Sequence, residues 1–118
     1  MLTVYGIPNC NTVKKARTWL DENKIPYTFH DYKKKGITED KLKTWSEVFP
    51  WEKLVNKAGT TWKALTDEEK AAVNNIDSAV VLMTDKTSVI KRPLIEDESG
   101  KAVLLGFSEV EYQKALIS

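Results

Sequence analysis

The segment YGIPNCNTVKKA, residues 5–16, decides the fold that the sequence predicts, and Cys10 lies at its centre. The segment begins in a short apolar and β-branched run, residues 2–5, whose length and composition predict a buried strand. Glycine, proline and asparagine then turn the chain in a tight loop. Directly after the cysteine, apolar residues recur at helical spacing, and Asn11 or Thr12 can serve as the N-cap. The sequence therefore predicts Cys10 at the end of a strand and at the N-terminus of the first helix.

That position makes Cys10 a candidate nucleophile. Unpaired backbone N–H groups and the positive end of the helix dipole stabilise an anion there, so we expect the thiol pKa to fall below the roughly 8.5 of free cysteine. Lys14 and Lys15 in the first turn add positive potential around the sulfur. The alternative interpretation is a buried and inert cysteine, because free cysteine is among the most buried residue types.

Composition and charge exclude several function classes. The 118 residues are enough for one domain with its own core, and the formal net charge of +1 offers no general attraction to nucleic acid or to a membrane surface. No run of about 18 apolar residues is present to form a membrane helix, and the N-terminus lacks the pattern of a signal peptide. We therefore expect a cytoplasmic protein with no direct nucleic-acid partner and no membrane partner.

The single cysteine limits the chemistry further. No intramolecular disulfide can form, which agrees with a reducing cytoplasm. Residues 10–13 read Cys-Asn-Thr-Val, so a C-x-x-C dithiol is absent, and a redox cycle at Cys10 needs its second sulfur from glutathione or from a protein thiol. One cysteine and one histidine do not supply the ligands of a zinc site, so no metal is expected.

The middle of the chain predicts a second strand and a helical block. Aromatic and polar residues alternate over residues 27–32, which predicts a strand parallel to the first. Residues 38–86 have helical patterns, with a capping box that begins at Thr66 and a later N-cap at Asp77 or Ser78.

Two features near the second strand have alternative interpretations. Residues 33–36, three lysines and a glycine, predict a solvated loop, or else a positive rim that attracts an anionic thiol such as glutathione. His30 is interpreted as a residue of the surface or of the sheet face, with a catalytic role as the alternative.

The chain ends in two strands and a helix. Residues 87–95 and 102–105 are joined by a turn and predict an antiparallel hairpin. Ser108 opens the final helix in a capping box, and Val110 and Leu116 are expected on its inner side.

The order of these elements indicates the fold class. A β-α-β unit, a helical block and a β-β-α unit follow one another, which is the order of a thioredoxin-like α/β fold with a mixed four-stranded sheet. We expect a single domain over residues 1–118 with a helical insertion at about 38–86.

Four motifs are more specific together than any one of them alone: GIPNCNT at residues 6–12, GTTW at 59–62, IKRPL at 90–94 and LLGFS at 104–108. Together they resemble the ArsC/Spx family, and within it the YffB-type branch, and the likeness extends over essentially the whole chain. The resemblance implies a thioredoxin-like domain with an inserted helical subdomain in a cytosolic bacterial protein, and a nucleophile at Cys10. It also implies that Arg92 lies beside that cysteine and that Pro93 follows a cis peptide bond.

Two departures from the family pattern limit the function. Arsenate reductases of this family hold the oxyanion with three arginines, whereas this chain contains only Arg17 and Arg92. Lys57 lies near the position of one missing arginine, but an ammonium group is a point charge rather than a planar fork, so efficient arsenate reduction is not expected. Spx regulators sense oxidation through a C-x-x-C pair, and Val13 at the second position excludes that switch.

The resulting hypothesis is a glutathione-dependent thiol reductase with one nucleophilic cysteine. Cys10 attacks an oxidised sulfur or a similar electrophile, Arg92 stabilises the thiolate, and glutathione resolves the adduct in the manner of a monothiol glutaredoxin. The residues expected to bind substrate or glutathione are Asn9, Asn11, Thr12, Lys14, Lys57 and Pro93. The alternative hypothesis is an Spx-like partner of RNA polymerase that lacks the disulfide switch.

Overall fold

The computed structural model describes residues 1–117, which divide into two units. Met1–Lys35 and the chain from Arg92 onward form the first unit, and Gly36–Lys91 form the second. Ser118, which the predicted domain includes, lies outside the described residues. That the chain forms one domain with an insertion at about 38–86 stays a prediction.

The first unit contains a mixed four-stranded sheet. Its strands lie in the order β2-β1-β3-β4 and comprise β1 (Leu2–Gly6), β2 (Tyr27–Asp31), β3 (Leu94–Glu96) and β4 (Ala102–Leu105). β1 and β2 are parallel, whereas β3 pairs antiparallel with both β1 and β4. This arrangement confirms the predicted thioredoxin-like α/β fold and the antiparallel hairpin.

The described residues form eight α-helices. In chain order they are α1 (Asn11–Glu22), α2 (Tyr32–Lys35), α3 (Glu39–Ser46), α4 (Trp51–Leu54), α5 (Thr60–Lys63), α6 (Asp67–Ala72), α7 (Ile76–Asp85) and α8 (Glu109–Leu116). Helices α1, α2 and α8 belong to the first unit. Within residues 1–117, no helix combines the length and the apolar character that crossing a membrane requires.

The core of the first unit joins the sheet to α1 and α8. Alternation along the strands turns Val4 and Ile95 to one face, and helical spacing brings Ala16 and Leu20 of α1 against them. All four side chains have no exposed surface. Burial of their apolar area, at roughly 25 cal/mol per Å², is the main force that holds α1 on the sheet. The start of α1 is thereby fixed next to the end of β1.

The inner side of α8 differs from the predicted one. Leu116 packs against the core as expected, but Val110 is 64% exposed, so the prediction for Val110 is wrong. Tyr112, one turn before Leu116, takes the inner position and is 1% exposed. Its hydroxyl donates a hydrogen bond to the Gly106 carbonyl oxygen at 2.6 Å, which allows a tyrosine to be buried there.

The predicted N-caps Thr66 and Ser108 are confirmed. Thr66 forms both bonds of its capping box. The Ser108 hydroxyl accepts a hydrogen bond from the Glu111 N–H, which is one of the two bonds of its predicted capping box. The prediction of Asp77 or Ser78 as the N-cap of α7 is wrong. Asn75 is the N-cap, because its side chain accepts a hydrogen bond from the Ser78 N–H at 2.8 Å and starts the helix earlier.

The predicted strand over residues 27–32 is one residue shorter than expected, and the lysines after it form a helical turn rather than a loop. The Asp31 carboxylate accepts a hydrogen bond from the Lys33 N–H at 2.9 Å, which begins the short helix α2 directly after β2. Tyr32 is therefore the first residue of α2 and not the last of the strand.

The predicted strand over residues 87–95 begins later than expected. Thr87–Val89 form a 3-10 turn, in which the Ile90 N–H donates to the Thr87 carbonyl oxygen at 3.1 Å. After this turn, Ile90 forms an isolated bridge with Val55, and the Lys91 N–H donates to the Leu54 carbonyl oxygen at 2.7 Å. The backbone there pairs outside the sheet, and the strand starts at Leu94.

The second unit consists of α3 to α7 and the 3-10 turn. Helices α3 and α7 pack together and carry the fully buried side chains of Trp45 and Met83. The Asn56 N–H donates to the Val89 carbonyl oxygen at 2.8 Å, and the Lys91 N–H donates to the Leu54 carbonyl oxygen at 2.7 Å. These two bonds connect the end of α4 and the loop after it to the end of the unit.

Candidate active site

Cys10 is itself the N-cap of α1. Its backbone is extended, with φ −128° and ψ 125°, and its carbonyl oxygen accepts the first hydrogen bond of the helix from the Lys14 N–H at 2.9 Å. The prediction of Asn11 or Thr12 as the N-cap is therefore wrong, although Cys10 does lie at the helix start as expected. The thiol occupies the position from which a serine or aspartate side chain usually caps the first turn.

The surroundings of Cys10 lower the pKa of its thiol. Partial burial acts in the opposite direction, because it penalises the charged form. The Val13 N–H, the positive charge of Arg92, the Thr12 N–H and the Arg92 guanidinium all favour the thiolate, and together they outweigh the effect of burial on the pKa. The side chain is partly exposed, so a reagent can reach the sulfur. These observations favour the reactive interpretation over the inert one.

Gly6 allows the loop before Cys10 to pass close to α1. A Cβ atom at this position would lie 2.8 Å from Cγ2 of Val13 and 3.8 Å from the Phe29 ring. A larger residue would push the end of β1 away from the helix. The close approach therefore contributes to the placement of the sulfur at the helix start.

Arg92 and Pro93 reach the site from the segment before β3. The peptide bond between them is cis, as the family resemblance implies. Pro93 is buried, and its carbonyl oxygen accepts a hydrogen bond from the Gly106 N–H at 2.8 Å, which ties this segment to the end of β4. Arg92 is half-buried, and its guanidinium lies close enough to Cys10 to lower the pKa of the thiol, so the structure brings these two predicted residues together.

The other predicted binding residues of the first unit are exposed and close to Cys10 in the chain: Asn9, Asn11, Thr12 and Lys14. Thr12 contributes through its backbone N–H rather than its hydroxyl. Lys14 lines an open groove on the surface of α1 together with Trp19 and Phe107. The binding roles of these side chains and of Pro93 stay predictions.

Lys57 belongs to the second unit. Its ammonium group lies 5.3 Å from the ring centroid of Trp62 and 5.9 Å from that of Trp51, within the range of cation–π attraction. Two indole faces thus account for the position of this charge, and the predicted role of Lys57 as a binding residue stays a prediction.

Sequence reasoning missed a group of polar side chains on the sheet and directly beside it: Tyr5 of β1, Glu96 of β3 and Tyr32 of α2. Tyr5 lies on β1 with its ring centroid 4.7 Å from that of His30, which places His30 on a face of the sheet. Glu96 is 3% exposed, although it is charged. The signal available in the sequence was an acidic residue directly after the apolar Leu94 and Ile95.

Metal ligands do not gather in the described part of the chain. Among residues 1–117, no group of three or more His, Cys, Asp or Glu side chains is arranged to hold a metal ion.

The model of the ArsC family matches residues 5–115. A solved structure of a YFFB protein is 42% identical, with a TM-score of 0.90 over 98% of this chain and 99% of that one. A solved arsenate reductase (ArsC) related protein from Brucella melitensis is also 42% identical, with a TM-score of 0.75 over 99% of this chain and 95% of that one. The global transcriptional regulator Spx from Staphylococcus saprophyticus is 28% identical over 98% of this chain and 87% of its own length.

Proposed function

Because the chain belongs to the ArsC family, we propose that it is a thiol oxidoreductase whose nucleophile is Cys10 and whose resolving thiol is glutathione. The observation that carries this proposal is the surroundings of one partly exposed sulfur at the N-cap of α1, where the N–H groups of the first turn and the positive charge of Arg92 favour the thiolate. A sulfur with such neighbours becomes a thiolate, the reactive form, at a lower pH than a free cysteine does.

The proposed reaction consists of two thiol–disulfide exchanges. The Cys10 thiolate attacks the glutathionyl sulfur of a mixed disulfide, a disulfide forms between Cys10 and glutathione, and the substrate leaves as a thiolate that takes up a proton. A second glutathione thiolate then attacks the glutathionyl sulfur of this adduct. The S–S bond to Cys10 breaks, glutathione disulfide leaves, and the Cys10 thiolate is restored. The sum converts a mixed disulfide and glutathione into a free substrate thiol and glutathione disulfide.

Arg92 has two roles in this proposal. It stabilises the Cys10 thiolate before attack and again as the leaving group of the second exchange. While Cys10 is in a neutral disulfide, the same guanidinium is available to pair with a carboxylate of the bound glutathione. Lys14 and the backbone at Thr12 and Pro93 are proposed to contact the rest of that peptide.

Reduction of arsenate is not part of the proposal. The chain has two arginines, and Arg17 lies with its guanidinium carbon 4.2 Å from the ring centroid of Phe29. Arg92 is thus the arginine available to hold an oxyanion at Cys10, and one fork is a weak substitute for the three expected in an arsenate reductase.

Incubation with glutathione disulfide near pH 7, followed by measurement of the intact mass, tests the first exchange. We expect a single glutathionyl adduct, because the lowered pKa makes the thiolate available at neutral pH. Reduced glutathione should then remove the adduct and release glutathione disulfide. A protein that reacts with iodoacetamide at Cys10 but neither gains nor loses glutathione would contradict the role of glutathione.

A second candidate function is regulation of transcription, favoured by the similarity to Spx over 98% of the chain. In this alternative the protein binds RNA polymerase, and Val13 at the second position of C-x-x-C makes binding independent of an internal disulfide. Capture of purified polymerase by both the wild-type protein and Cys10→Ser would favour it. A cytoplasmic location is proposed for either function.

A further inference from the structure

A buried polar cluster, formed by Tyr5, Tyr32 and Glu96, lies on the face of the sheet opposite the core of the first unit. Val4 points into that core, so its neighbour Tyr5 points to the other face. Glu96 pairs with Thr3 across β1 and β3 and shares that face with Tyr5. The Tyr5 hydroxyl donates a hydrogen bond to Oε1 of Glu96 at 2.8 Å, although 91 residues separate the two in sequence.

Glu96 is an unusual residue to bury. A carboxylate loses its hydration in the interior and needs hydrogen bonds or a cation in return. The Tyr5 hydroxyl supplies one bond, and burial together with the Glu96 hydrogen bond and charge raises the pKa of Tyr5, which keeps that hydroxyl a donor. The Glu96 carboxylate therefore lies on this buried face of β3, four residues after Arg92.

Tyr32 connects this charge to the active site. Its ring lies 6.2 Å from that of Tyr5 and 6.0 Å from that of His30, and the side chain is 1% exposed. Burial raises the pKa of Tyr32, the charges of Tyr5 and Glu96 raise it further, and the positive charge of Arg92 lowers it. The charges of Glu96 and Arg92 thus both act on the Tyr32 hydroxyl.

The hydroxyl of Tyr32 has no hydrogen-bond partner among the residues that the structure describes. Phenylalanine would fill the same space at a lower cost of desolvation, so packing alone does not explain a tyrosine here. Arg92 links this hydroxyl to Cys10, because its positive charge acts on both groups.

We propose that Tyr32 and Glu96, the latter held by Tyr5, are positioning residues that keep the Arg92 guanidinium directed at the sulfur of Cys10. A guanidinium has five N–H donors in a rigid fork, and a thiolate accepts hydrogen bonds from only some of them. The remaining donors can face other oxygen atoms. The oxygen atoms of Glu96 and Tyr32 attract the guanidinium towards this face of the sheet and restrict the rotamers of the long Arg92 side chain. Less rotamer entropy is therefore lost when Arg92 binds the thiolate. The inference rests on the proposed roles of Cys10 and Arg92, but not on glutathione.

Tyr32→Phe tests the inference, because it removes the hydroxyl and keeps the ring. We expect the rate of Cys10 alkylation by iodoacetamide at pH 7 to fall roughly two- to tenfold, the low end of the coupling between residues of one network, and the midpoint of its pH profile to rise. In an Arg92→Ala background the same substitution should have no further effect, since the hydroxyl acts through the arginine. Thermal unfolding should show no loss of stability.

Tyr112→Phe is the matched control. Tyr112 is equally buried on the other face, and its hydroxyl is bonded to the Gly106 carbonyl oxygen. We expect this variant to lose stability and to keep the wild-type alkylation profile. A wild-type profile for Tyr32→Phe, or an equal effect with and without Arg92, would overturn the inference. Absence of a glutathione adduct would leave this result intact and would count only against the proposed function.

Discussion

Replacing Cys10 by serine is expected to abolish the glutathionyl adduct and to lower glutathione-dependent turnover by at least about a thousandfold. A serine hydroxyl is not ionised near neutral pH and is a weak nucleophile without an adjacent base. No second cysteine exists in the chain to take over the reaction. The measurements are the intact mass after exposure to glutathione disulfide and the rate at which glutathione disulfide is released from a glutathionylated peptide.

Thr12→Ser is the matched control for this replacement. Thr12 is exposed and acts at the site through its backbone N–H, which serine retains, so adduct formation should stay at the wild-type level. Cys10 lies outside the core of the first unit, and its serine variant should unfold at nearly the wild-type temperature. An adduct of the same mass on Cys10→Ser would contradict the assignment of the nucleophile.

Replacing Arg92 by alanine is expected to raise the pKa of Cys10 and to slow its alkylation at pH 7 about tenfold. The variant loses both the positive charge and the hydrogen bond that favour the thiolate. Hydrogen bonds to charged groups contribute about 1.5–3 kcal/mol, and we take the lower end because the sulfur is partly exposed and solvent screens the charge. The alkylation rate measured from pH 5 to pH 10 reports both changes.

Arg17→Ala and Arg92→Lys separate the possible causes. Arg17 donates to the Tyr27 hydroxyl at 3.1 Å, so its loss should affect stability while the pKa of Cys10 stays at the wild-type value. Lysine at position 92 keeps the charge but not the fork, and should give an intermediate pKa. If Arg92→Ala titrates like the wild-type protein, the guanidinium has no part in activating the thiol.

The sequence predicted the features that depend on neighbouring residues. The strand, tight loop and helix around Cys10 follow from apolar spacing and turn chemistry within residues 2–20, and the capping box at Thr66 follows from four consecutive residues. The pairing of Arg92 with Cys10 depends on contacts across the fold. It was therefore available only through the resemblance to the ArsC/Spx family.

The features that sequence reasoning missed depend on contacts between distant segments, or on which of several nearby residues forms a local contact or hydrogen bond. From the sequence alone, Glu96 would be predicted on the surface. Its burial depends on the hydrogen bond from Tyr5, which lies on the neighbouring strand but 91 residues away in the chain. At α8, Val110 has the right spacing for the inner side, but the larger Tyr112 occupies it. At α7, the Asn75 side chain captures the Ser78 N–H and starts the helix before Asp77.

The midpoint of the Cys10 alkylation rate as a function of pH tests the central claim most directly. A group whose anion is stabilised by donors ionises at lower pH, so the rate should rise through a midpoint below the roughly 8.5 of free cysteine and be near its plateau above that midpoint. Below the midpoint it should fall about tenfold per pH unit. A midpoint at or above roughly 8.5 would contradict an activated thiolate at Cys10.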